Sequence, residues 1–287
     1  MSINFLFWNA RGIAKATTRR IIRRLIKSHN PVFLAIMEPL SHHPKMELRF
    51  SNANGKIWIF TDKESTFVID DDTEQPLHGR ILIPRIGKEI AISAIYAKCS
   101  RSERYGLWDK LREFAEHTEG MPWMIGGEFN TILHPRDRVG SDTNRLPEMV
   151  DFAEMAEDCR LIDPGFNGFE YTWAKNTLLE RLDRAFINEN WTEMFEATRV
   201  TNLPRVASDH GPVLARCKLK STAPKGSSFR FQNMWTRHPQ FLALVQSDWE
   251  QTTEAGGLLN LQIKLSRLKH TVKSWNRYNF GNLHANL

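Results

Sequence analysis

Short apolar runs, rich in β-branched and aromatic residues, recur along the chain at 3–8, 32–37, 57–60, 66–69, 81–83, 90–96, 123–125 and 212–217. Runs of this length, bounded by polar or turn-forming residues, predict strands, and apolar residues at consecutive positions predict sheets covered on both faces. Between them the period becomes helical. Thr17 to Ser28 places Ile21, Ile22, Leu25 and Ile26 on one face, Arg101 to His117 does the same with Leu107, Trp108, Leu111 and Phe114, and Leu146 to Cys159 continues the pattern. Strands and helices alternate irregularly, which predicts an α/β protein with mixed sheets covered by helices and not a regular βαβ barrel.

The pattern breaks at Ser221-Thr222-Ala223-Pro224-Lys225-Gly226-Ser227-Ser228, small and turn-forming residues that divide the chain into 1–220 and 221–287. An aromatic stretch follows (Phe229, Phe231, Trp235, Phe241, Trp249). Then Leu261, Leu265, Leu268, Val272 and Trp275 step by four, three, four and three, an amphipathic helix flanked by Lys264, Arg267, Lys269, Lys273 and Arg277. No internal repeat is visible.

Charge and cysteine content alter this picture only a little. Of the net charge of +6, most lies in the tail, where eight Lys and Arg face three Asp and Glu; positions 1–220 hold 31 against 30. Global basicity is therefore no argument for a nucleic-acid partner of the main region. Cys99, Cys159 and Cys217 are odd in number and lack paired metal spacing, so free, buried thiols are expected and a zinc site is not. No apolar run is long enough for a signal segment or a membrane span.

Candidate chemistry gathers at strand ends. Asn9 ends the first predicted strand, Glu38 the second and Tyr96 a third; Glu128 and Asn130 follow Trp123-Met124-Ile125-Gly126-Gly127, and Asp209-His210 precede the last. Taken singly, each has an ordinary explanation: a turn for Asn9, a solvated carboxylate for Glu38, a half-buried strand residue for Tyr96, a surface ion pair for Asp183, a cap or turn for Ser208-Asp209-His210. The glycine pair lacks the Lys-Ser/Thr ending of a P-loop, and there is no Gly-x-Ser-x-Gly elbow. Together these residues supply what phosphoester hydrolysis needs. Glu38 with Asn9 or Asp209 offers hard oxygen ligands to a divalent cation, Asp183 can orient His210, and Asn9, Tyr96, Asn130 and His210 are donors for developing charge.

In chain order, Trp8-Asn9-x-Arg11-Gly12, Glu38, Tyr96, Gly127-x-Phe129-Asn130, Arg181-Leu182-Asp183-Arg184 and Ser208-Asp209-His210 resemble the motifs of the endonuclease/exonuclease/phosphatase superfamily. Pro122-Trp123, Asp158-Cys159-Arg160-Leu161-Ile162-Asp163, Tyr171-Thr172-Trp173 and Phe229-Arg230-Phe231-Gln232-Asn233-Met234-Trp235 look similar to the endonuclease domain of plant non-LTR (LINE) retrotransposons. The resemblance implies a DNase I-like, four-layered α/β sandwich of two face-to-face mixed sheets flanked by helices, with a helical C-terminal extension resembling a connector toward a reverse transcriptase. It also implies a magnesium-dependent site, with manganese as a substitute, that nicks double-stranded DNA and leaves a 3′ hydroxyl to prime reverse transcription. Carried over, Glu38 holds the metal with Asn9 nearby, Asp209 supports the metal and water network, Asp183 pairs with His210, and Tyr96 and Asn130 contact the scissile phosphate.

A monomer working in the nucleus or nucleocytoplasm is expected, with element RNA or a reverse transcriptase as partners only within a longer polyprotein. Loops 40–55, 98–104 and 134–146 are the expected DNA-facing segments, with Arg101, Arg104, Arg136, Arg138 and Arg145 as phosphate contacts. One position departs from the family pattern. Glu128 stands where an Asp aligns or deprotonates the attacking water, and a misplacement of about 1 Å in such geometry costs ~100-fold in rate. Two alternatives therefore stay open: a catalytically silent relic that binds nucleic acid or a protein, and a phosphatase of small phosphate esters.

Overall fold

A computed structural model describes residues 1–40, 50–220, 233–253 and 257–280. The chain forms two compact units, Met1–Lys220 and Ser221–Leu287. In the first, the strands are β1 (Ser2–Asn9), β2 (Phe33–Met37), β3 (Phe50–Ser51), β4 (Ile57–Thr61), β5 (Thr66–Asp72), β6 (Pro76–Ile83), β7 (Lys88–Tyr96) and β8 (Trp123–Glu128). They continue as β9 (Arg138–Val139), β10 (Asn167–Gly168), β11 (Trp173–Lys175), β12 (Leu178–Glu180), β13 (Asp183–Ile187), β14 (Phe195–Asn202) and β15 (Val213–Leu219). Helices α1 (Ala16–His29), α2 (Arg101–His117), α3 (Leu146–Asp158) and α4 (Glu189–Met194) connect them.

Two mixed sheets dominate, in the orders β10-β14-β15-β1-β2-β4-β3 and β13-β8-β7-β6-β5, beside a small sheet β11-β12-β9. Alternation along each strand sorts the side chains into layers. Ile3, Phe5 and Phe7 of β1 and Phe33, Ala35 and Met37 of β2 share one core with Ile90, Ile92 and Ala94 of β7 and Met124 of β8. Leu6, Trp8, Leu34 and Ile36 point the other way and pack with Ile22 of α1. Ala91, Ile95, Trp123 and Ile125 point outward from the second sheet, against Leu107, Trp108, Leu111 and Phe114 of α2 and Phe152 and Met155 of α3. Three apolar layers between four layers of structure make the sandwich, two face-to-face mixed sheets flanked by helices.

The glycine pair is a packing device. A Cβ on Gly126 would lie 2.5 Å from the Phe7 ring of the facing sheet, and Gly127, at φ +137°, would drive one into the Ile95 carbonyl.

The helix faces of α2 match the periodicity, whereas α1 buries Ile22, half-buries Ile21 and Leu25, and leaves Ile26 exposed. All three cysteines are free; Cys159 and Cys217 are buried, but Cys99 is exposed, because it falls in the loop leaving β7. Two substantial strands, β13 and β14, lie outside the apolar runs. β13 begins Asp183-Arg184 yet all five of its residues are buried, and β14 interleaves Thr and Arg with apolar residues.

In the second unit, α5 (Phe241–Glu250) and α6 (Gly257–Phe280) share a small core of Phe241, Leu268, Val272 and Trp275, to which Trp235 of the turn before α5 adds. Only the later half of the predicted seam is used, since Leu261 and Leu265 are exposed. Phe229 and Phe231 lie outside the described residues, as do positions 41–49 of the expected DNA-facing loop 40–55. Among the described residues no helix is long and apolar enough to cross a membrane.

Candidate active site

β1 and β2 run parallel, as do β7 and β8, so Asn9, Glu38, Tyr96 and Glu128 all leave the carboxyl ends of their strands. β13 and β15 run antiparallel to these neighbours, so the residues that begin or precede them, Asp183 and Asp209-His210, arrive at the same end. Tyr96, Glu128 and Asp183 are direct cross-strand partners at one level of the second sheet. The two sheets meet there through Asn9, whose Nδ2 donates to Glu38 Oε2 at 3.1 Å and to Glu128 Oε2.

The centre of the cluster is buried. Asn9, Glu128, Asp183 and His210 are each no more than 4% exposed. His210 Nδ1 lies 2.9 Å from Asp183 Oδ2, and its Nε2 faces Glu128 Oε1 at 3.6 Å. The loop carrying His210 is fixed from several sides: Ser208 Oγ donates to the Asn9 carbonyl (2.8 Å), the His210 N–H donates to Ser208 Oγ (3.1 Å), and Trp8 Nε1 donates to the His210 carbonyl (3.0 Å). Thr172 Oγ1 accepts the N–H groups of Leu182 and Asp183, which holds the start of β13. Asp183 is thus a buried partner and not a surface ion pair.

Electrostatics follow from burial and pairing. Complete burial raises the Glu128 carboxyl above the ordinary carboxylate range, and the charge of His210 only partly offsets it. Burial pulls His210 down, but Asp183 and Glu128 outweigh it and leave the imidazole raised. Together they keep a proton in the cluster near neutral pH. Tyr96 is raised by burial and by its hydrogen bond to Glu38, so it stays a neutral donor.

Glu38 and Asp209 sit on the wetter side of the rim, with side chains 13% and 29% exposed. Arg11 joins them, its Nε 3.3 Å from Glu38 Oε2 and a terminal nitrogen 2.5 Å from Asp209 Oδ2. Trp173 Nε1 also donates to Asp209 Oδ2, at 3.0 Å. Among the described residues, the acidic and histidine groups whose ligand atoms converge within 4.8 Å are Glu128, Asp183 and His210. Of the expected metal set, Glu38 and Asp209 meet the Arg11 guanidinium, while Asn9 accepts the Arg11 backbone N–H at Oδ1 (3.0 Å) and donates to Glu38. Asn130 stands apart: its Nδ2 donates to the Ala97 carbonyl (2.7 Å), stitching the ends of β7 and β8.

Ser208 closes the turn expected of Ser208-Asp209-His210. Arg11, Thr172 and Trp173 also contribute, and their place inside the motifs is the only sign of them in the sequence.

The expected phosphate-binding arginines are mostly committed elsewhere. Arg101 pairs with Asp151 at 2.5 Å. Arg104 is buried, held by Glu148 and by the carbonyls of Lys98, Cys99 and Asn130. Arg138 and Arg145 converge on Glu180 at 3.3 and 3.7 Å. Acidic residues of α3 and β12 meet these guanidinium groups; Arg101, paired with Asp151, and Arg136 are the exposed members of the set.

Residues 6–210 match the profile of the Endonuclease/Exonuclease/phosphatase family. No curated protein sequence matches the chain. Among solved structures, the endonuclease domain of TRAS1, a telomere-specific non-LTR retrotransposon, is similar with a TM-score of 0.61 and 13% identity, covering 77% of this chain and 100% of that one. The AP endonuclease LMAP from Leishmania major is similar with a TM-score of 0.59 and 13% identity, covering 76% of this chain and 88% of that one. At such identity these two likenesses speak for the fold, while the family match spans most of the sequence and its ends fall on β1 and on His210. The chain belongs to the endonuclease/exonuclease/phosphatase family.

Proposed function

We propose that this protein is a divalent-metal-dependent phosphodiesterase that nicks double-stranded DNA, of the kind carried by non-LTR retrotransposons, and that it works in the nucleus. The observation that carries the reading is the buried Asp183–His210 pair set against Glu128, with Asn9 linking Glu128 to Glu38. Hydrolysis of a phosphodiester requires a group to align and deprotonate water, a donor for charge growing on phosphorus, and a cation. The fold of the TRAS1 endonuclease domain and the motif likeness to plant elements support the choice of DNA over a small phosphate ester.

The rim residues fit a hard cation. Glu38 and Asp209 bring two carboxylates to an accessible edge where one positive group, Arg11, already satisfies both. Magnesium held by Glu38, with Asn9 and Asp209 beside it, would supply Lewis-acid stabilisation to a phosphate oxygen. The chain's own groups do the rest. His210, raised and oriented by Asp183, donates to a phosphoryl oxygen through Nε2. Glu128, with its affinity for protons raised toward neutrality, accepts one from water, and Tyr96 donates to phosphate. Asn9 keeps the two carboxylates it bridges in register.

Glu128 favours a second reading, an inert binding domain, because both of its oxygens are turned to Asn9 and His210, where the water must be placed. Nicking of supercoiled plasmid with Mg²⁺ decides between them. Nicking by the native chain, abolished in His210→Ala and faster by ~10- to 100-fold in Glu128→Asp, supports the proposal. An inactive native chain with an active Glu128→Asp identifies a site silenced at one position. No cutting by either, or release of inorganic phosphate from small esters without nicking, overturns the nuclease reading.

A further inference from the structure

The turn after β1 carries a permanent cation into the acidic rim. Arg11 adopts φ +43° and Gly12 φ +104°, and this turn is stitched to the rim on both sides. The Arg11 N–H donates to Asn9 Oδ1 at 3.0 Å, and the Gly12 N–H donates to the Glu38 carbonyl at 2.8 Å. A non-glycine residue is disfavoured in the left-handed region, so the surrounding contacts must fix that conformation. From this base the guanidinium spans Glu38 and Asp209, while half of its side chain remains exposed.

We propose that Arg11 is a resident counter-cation that occupies Glu38 and Asp209 in the metal-free protein and competes with the divalent ion for them. The inference rests on the reading of Glu38 as a metal ligand. Two like charges cannot share the same pair of carboxylates without mutual repulsion, so the ion enters as the guanidinium turns out to solvent. The exposed flank of the side chain leaves that exit open. Without Arg11, the two carboxylates would repel each other and gain more from a metal ion.

Mn²⁺ titrated into the full chain, with free Mn²⁺ followed by electron paramagnetic resonance, tests this. Arg11→Gln is expected to bind Mn²⁺ about tenfold more tightly than the native chain, and Arg11→Lys, which keeps the charge, to stay close to native. Equal or weaker binding by Arg11→Gln, or tightening by Arg11→Lys as large as that of Arg11→Gln, overturns the proposal. Should Arg11→Gln fail to fold, the native chain alone suffices: the Arg11 Nε–H resonance should pass from protected to solvent-exchanging on addition of Mg²⁺, and a resonance that stays protected overturns the proposal. Glu38→Gln separates the two levels. If it binds Mn²⁺ like the native chain, the reading of Glu38 falls and this inference with it; if it loses Mn²⁺ while Arg11→Gln is unchanged, only the inference falls.

Discussion

Glu128 extends its carboxylate one methylene further than an aspartate would, and the added length is taken up inside the cluster, toward Asn9 and His210. The backbone is unaffected, because Glu128 keeps its register opposite both Tyr96 and Asp183. Glu128→Asp would therefore change only where the carboxylate ends, so it tests activity without testing the fold. A second buried titratable residue serves stability instead. His78 lies under the Phe114 ring, with centroids 3.7 Å apart, and its Nδ1 is 2.5 Å from Ser93 Oγ. Burial lowers its pKa to about 4. An unfolded histidine binds a proton near pH 6.5, which the folded one refuses, so this contribution is complete above that pH and drains as pH falls toward 4, by about 1.4 kcal/mol per unit. Between pH 7 and 5, urea unfolding of the native chain should lose about 2 kcal/mol more than that of His78→Phe; parallel pH profiles would exclude the assignment.

At the scale of elements, β13 shows how charge can be buried in a strand. Arg184 is fully buried between Asp137 and Asp163, the latter at 3.0 Å, and Asp137 also caps the turn at 133–137 by accepting the N–H groups of Leu133 and His134 at 3.1 and 2.8 Å. Burial next to Arg184 lowers Arg181 to about 10 despite Asp163, so the network is tight on positive charge. Asp137→Ala strips a partner from a buried guanidinium and should cost about 3–5 kcal/mol. Chemical denaturation measures this, and a loss below about 1 kcal/mol would mean that water or Asp163 alone satisfies Arg184. Because β13 also delivers Asp183, the same variant should depress activity beyond its effect on folding.

At the scale of the whole molecule, all eight candidate residues and three of the four apolar clusters belong to Met1–Lys220. A chain ending at Lys220 should therefore unfold in a single transition within about 2–4 °C of the full-length midpoint, the shift expected of ~1 kcal/mol in a unit of this size. A larger drop in a thermal melt would show that Met1–Lys220 depends on the following residues. The α5–α6 pair has its own small core and uses only part of its apolar seam. Electrostatically, the arginines of 98–104 and 134–146 serve largely to hold loops together; among those expected to face DNA, Arg136 and the Asp151-paired Arg101 are exposed.

What the sequence by itself determined is what short-range periodicity encodes: the apolar strands, helices α1, α2 and α3, and the gathering of polar residues at strand ends. Alternation and helical spacing act between near neighbours, so they are readable before any fold is known. Only the tertiary structure decided which charges are buried. Asp183, Arg184 and Arg104 look like surface residues in the chain and lie inside the protein because their partners, brought from distant segments, replace the water they lose. Tertiary structure likewise decided the partners of Arg11 at the rim and the need for the glycine pair, Gly126 facing a phenylalanine of the opposite sheet and Gly127 the Ile95 carbonyl beside it.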